Sequence, residues 1–91
     1  MSGQDLMNEL AAKGGLLDTA LRKLGERGRS HAQAERDYRV ALAQKILIER
    51  DKGTPVTIIS DICRGSAEIA AKKFARDCAE TNYDAAKEAI N

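Results

Sequence analysis

Ninety-one residues, 43% apolar and 32% charged, make one small domain and exclude a disordered chain. Fifteen alanines against two valines, with one proline and three aromatic residues, point to helix and away from sheet. Fifteen Lys and Arg against fourteen Asp and Glu leave a net charge of +1, too even for a protein that holds nucleic acid through its general field.

Residues 4–24 carry a leucine stripe of Leu6, Leu10, Leu17, Leu21 and Leu24. At 100° per residue these fall on one narrow arc, which predicts an amphipathic helix with a face for a partner. Gly14 and Gly15 interrupt it at about 1 kcal/mol each relative to Ala. The expectation is two short helices, or a segment that orders only against something else. Gly25-Glu26-Arg27-Gly28-Arg29 predicts a helix break. The surrounding cations Arg22, Lys23, Arg27 and Arg29 then read as a solvated helix end. Ser30 is the expected N-cap of a second helix, with Gln33 completing a capping box.

Residues 31–51 form the strongest predicted helix. Ala34, Tyr38, Ala41, Leu42 and Ile48 cluster on one side, with Val40, Ala43, Ile46 and Leu47 roughly opposite. A helix apolar on two sides needs more than one neighbour. Gly53 suits the position just past its end, and Pro55 cannot continue it. Thr54 or Thr57 is the expected cap of a short helix over residues 58–64, closed by Gly65. Ser66 then caps a last helix from Ala67 to about Ile90. There Ala67, Ala71, Phe74, Cys78, Ala85 and Ala89 align, widened by Ala75, Ala79 and Ala86. Such an alanine stripe lets two helix axes approach closely.

The expected fold is all-α: an antiparallel hairpin of two long helices with a short connector helix, a coiled-coil-like bundle, plus the amphipathic N-terminal segment 1–29. The leucine stripe of residues 6–24, a second copy of the chain, or both are expected to cover what two helices leave bare; a homodimer or higher homo-oligomer is favoured, with an unknown protein partner besides. The predicted protein interface is Leu6, Leu10, Leu17, Leu21, Leu24, Ile46 and Leu47.

Catalytic constellations are missing. His31 is the one histidine, placed at a helix start with Glu35 a turn later, and zinc needs three or four ligands. No nucleotide-binding or metalloprotease motif occurs. The carboxylate pairs Asp5/Glu9, Glu80/Asp84 and Asp84/Glu88 read as solvated faces, with Arg76–Glu80 and Lys73–Asp77 as opposite-sign pairs. The expectation is a protein that is no enzyme and takes no metal or cofactor. Cys78 is expected as a small core residue and Cys63 as partly exposed. The opening residues Met1-Ser2-Gly3-Gln4-Asp5 lack a secretory pattern and no apolar run could span a bilayer, which predicts a cytoplasmic protein with free thiols.

Val56 to Phe74 has the outline of a helix-turn-helix. Arg64, Lys72, Lys73 and Arg76 are its candidate nucleic-acid contacts. Asp61 stands where such motifs favour a small residue, and the second helix is longer than usual recognition helices. The even charge favours ion pairing of Arg36, Arg39, Arg64 and Arg76 with Asp37, Asp61 or Asp77 over phosphate contact.

Ala34-Glu35-Arg36-Asp37-Tyr38-Arg39, Pro55-Val56-Thr57 with Asp61 and Arg64-Gly65, and Phe74-Ala75-Arg76-Asp77 with Tyr83 and Ala89-Ile90-Asn91 carry a resemblance. Residues 34–91 resemble small proteins encoded by phages and prophages of Gram-positive bacteria. The resemblance implies a setting among replication and recombination genes, a helical accessory role, and a last helix that continues past the position of Asn91. It implies no functional residue.

Overall fold

The computed structural model describes residues 3–90, and all of their side chains except those of 11 and 12. The expectation attached to Asn91 lies outside them. Three helices account for the secondary structure: α1 (Gly3–Asp51), α2 (Val56–Gly65) and α3 (Ala67–Glu88), with no strand among the described residues.

The molecule is a rod of 77 × 16 × 15 Å with a radius of gyration of 21.6 Å. A compact chain of this length would have a radius near 12 Å. Its length is that of α1, whose 49 residues at 1.5 Å each extend roughly 74 Å.

The expected break at residues 25–29 is absent. α1 runs unbroken through Gly25 and Gly28, and Ser30 lies within the helix rather than capping it. Packing explains the exchange at Gly28. A β-carbon there would lie 3.3 Å from the Tyr83 ring, so the missing side chain makes room for that tyrosine. His31 is therefore mid-helix and half-buried, its ring 5.9 Å from that of Tyr83.

α3 runs back along α1. Tyr38 meets Arg76 and His31 meets Tyr83, so later residues of α3 face earlier residues of α1. Both α2 and α3 pack on α1. Along the covered side of α1 lie Leu24, Gly28, His31, Glu35, Tyr38, Leu42, Lys45 and Glu49, each buried or half-buried, flanked by the half-buried Ala20, Gly25, Ala34, Asp37, Ala41 and Ile46. Leu24, Gly28, His31, Glu35, Tyr38, Leu42, Lys45 and Glu49 alternate steps of four and three, an average of about 3.5 residues, close to the helical period, so they share one side of α1. On α3 the matching positions are Ile69, Arg76, Ala79, Tyr83 and Ala86, with Ile90 beyond its end.

That α3 face is rotated from the expected one. Phe74 is 72% exposed and Cys78 is exposed, whereas Cys63 is fully buried. Both cysteine expectations are thus reversed. Arg76 and Tyr83 are half-buried on the covered face, while Lys87 is exposed. The Arg76 guanidinium stacks 4.6 Å from the Tyr38 ring centre, and the Lys87 ammonium lies 4.5 Å from that of Tyr83. Amphipathic stems of this kind bury well although the residues count as polar.

The α1–α2 corner is a Schellman turn. Thr54 N–H donates to the Glu49 carbonyl at 3.1 Å, and Gly53 N–H to that of Arg50 at 3.0 Å. Gly53 has φ +83°, as the expected glycine cap requires. Gly53→Ala should lower stability by about 1 kcal/mol, read by chemical denaturation, because a β-carbon is strained in that region. Thr54 does not cap α2: Pro55 occupies the cap position, and the Thr54 hydroxyl donates to the Glu49 carboxylate at 2.8 Å. Ser66 caps α3 as expected, its hydroxyl oxygen accepting from Ile69 N–H at 3.3 Å.

Glu49 is 8% exposed and holds this corner. The hydroxyl of Thr54, with Lys52 and Lys45 each 3.6 Å away, keeps its carboxyl below the usual carboxylate range despite desolvation. A lowered pKa contributes stability that is complete above the ordinary value of about 4.3 and is lost as pH falls through the lowered one. Acid unfolding of Glu49→Gln should therefore show a shallower fall in stability below pH ~4 than the parent.

Candidate functional site

Two surfaces hold most of the predicted site residues: a bare apolar face on the first half of α1, and a basic groove where the three helices meet; Lys72, Ile46 and Leu47 lie outside both.

The stepping of fours and threes does not stop where α3 ends. It continues backward from Leu24 through Leu21, Leu17, Gly14, Leu10 and Met7. This half of the seam is more apolar than the half α3 covers. It is nevertheless exposed: Met7 66%, Leu10 61%, Leu17 52% and Leu21 49%. Leu6 and Leu16 add to it. α3 is too short to reach further, since its 22 residues extend roughly 33 Å along a helix of more than twice that length. Of the predicted interface residues, Leu6, Leu10, Leu17, Leu21 and Leu47 are exposed, whereas Leu24 and Ile46 are half-buried. Met7 and Leu16 escaped the sequence reading, although the 3.5-residue period includes Met7.

The predicted nucleic-acid contacts divide. Arg64, Lys73 and Arg76 line one groove of about 400 Å³ together with Arg39, Glu35, Tyr38 and Leu42. Lys72 lines a separate groove with Arg36, Asp37 and Glu68. Within the first, Glu35 lies 2.7 Å from Arg39 and 3.5 Å from Arg76. The hydrogen bond from Arg39, with Arg76 behind it, holds the Glu35 carboxyl below the usual range against desolvation. Arg76 also donates to Asp77 at 3.0 Å. Arg36 lies 3.8 Å from Asp37. The expected partners Asp37 and Asp77 are thus used, while Glu35 was not foreseen. Arg76 pairs with Glu35 and Asp77 rather than with Glu80.

A single residue, Ser66, separates α2 from α3. The DNA-binding helix-turn-helix has a turn of three or four residues, so this joint is tighter than that motif.

A third groove, of about 450 Å³, lies between α1 and the end of α3. Ala20, Ala85, Ala86 and Ala89 line it with Lys23 and Arg27. Among the described residues no cluster of three or more His, Cys, Asp or Glu could hold a metal. No helix of the described residues is long and apolar enough to cross a membrane.

No family model, curated protein or solved structure matches the chain.

Proposed function

We propose that this chain is a helical accessory protein of the phage or prophage type, acting by self-association and protein contact in the cytoplasm rather than by catalysis. Its α1 and α3 form a helical hairpin with a coiled-coil seam. One observation carries the reading: the seam continues in phase for five further positions toward the start of α1, with Leu10 61%, Leu17 52% and Leu21 49% exposed. An isolated helix of that length, with two glycines inside, is marginal in water. A partner surface is what makes it worth ordering. Sedimentation across a concentration range should give a species of twice 9.9 kDa or more at high concentration. A mass of 9.9 kDa throughout would refute self-association.

The meeting of Arg39, Arg64, Lys73 and Arg76 in one groove supports a second reading, DNA binding in phage replication or recombination. It predicts an affinity that falls steeply with salt. Absence of binding at about 50 mM salt would end it.

A further inference from the structure

We propose that the groove between α1 and the end of α3 receives the first residues of α1, about 3–14, from a second copy running antiparallel, and that the exchange is reciprocal. The proposal rests on the self-association reading and names its geometry.

Three observations point to this occupant. The groove has an alanine floor, Ala20, Ala85, Ala86 and Ala89, and a cationic rim, Lys23 and Arg27. The incoming segment has the converse character: Leu6, Met7 and Leu10 exposed, Asp5 and Glu9 acidic, and no Lys or Arg among residues 3–12. Residues 22–29 around the rim carry four cations and one acid, Glu26. Antiparallel exchange sets acid beside base, whereas parallel pairing would set acid on acid. Glu9 already holds Lys13 at 3.3 Å, but an exposed pair of this kind is weak and yields readily.

The chain cannot fill its own groove with this segment. α1 is one unbroken helix from Gly3 to Asp51, so its first residues point away along the rod. Only another copy can bring them there.

Lengths agree as well. On α1 the groove runs from Leu16 to Arg27, about 17 Å of helix, which matches residues 3–14. A two-fold axis that superposes residues 3–14 on residues 16–27 falls at Gly15. The contact is the same on both copies and closes as a dimer.

Charge exchange tests it. The double variants D5K/E9K and K23E/R27E should each dimerise about tenfold more weakly than the parent at low salt, because every arm then meets a like-charged rim. Mixed in equal amounts they should recover parental affinity as a heterodimer, since both contacts are again complementary. Circular dichroism of each variant reports the helix separately. A dimer unaffected by either exchange would overturn this geometry and leave self-association standing. Two weakened variants that fail to recover on mixing would overturn it too. A parent that never dimerises would overturn the broader reading with it.

Discussion

Ile69→Ala should lower stability by about 3 kcal/mol, the usual cost of removing most of a buried isoleucine. Ile69 is 1% exposed, as Cys63 is fully buried and Ile59 6% exposed. With Tyr38 these are the buried apolar side chains among the described residues. A rod this thin has little interior, so one cavity removes a large share of what binds α2 and α3 to α1. Denaturation at fixed protein concentration should show a fall in Tm of roughly 15 °C. Phe74→Ala is the counterpart: that ring is 72% exposed, and its loss should change stability by no more than about 0.5 kcal/mol. Equal effects at the two positions would mean that α3 presents the other face to α1.

Leu10→Glu combined with Leu17→Glu should weaken self-association at least 100-fold, about 3 kcal/mol. Leu10 is 61% and Leu17 52% exposed, so neither change leaves a cavity within one copy. In an interface each carboxylate would be buried without a partner, and an unpaired charge away from water costs several kcal/mol. The corner around Glu49 and the Ile69 cluster lie far along the rod and should melt as an uncoupled monomer does. Loss of association with that corner intact places the interface on the first half of α1. Unchanged association places it elsewhere.

The all-α class follows from composition and apolar period, and the caps at Gly53 and Ser66 follow from local chemistry. Each of these depends on residues a few positions apart. Long-range packing set the rest. Gly25 and Gly28 resemble a break until Tyr83, some fifty-five residues later, takes the space at Gly28. The face of α3 was drawn through Ala71, Phe74 and Cys78 because those residues are apolar. The structure instead turns Arg76 and Tyr83 inward, while Lys87, itself exposed, lies over the Tyr83 ring and pairs with Asp84. Glu49 gave no apolar signal, since its burial depends on Thr54, Lys45 and Lys52 converging at a turn. The leucines of the first helix were readable as a face, but the 3.5-residue phase that joins them to the α3 seam needs the continuous helix.

Hydrogen exchange of the backbone amides of residues 5–20, followed at high and at very low protein concentration, tests most directly whether a second copy shelters this arm. Protection there should be strong in concentrated solution and should vanish on dilution, while amides of residues 35–50 stay protected throughout. Arm amides that exchange equally fast at both concentrations would contradict it.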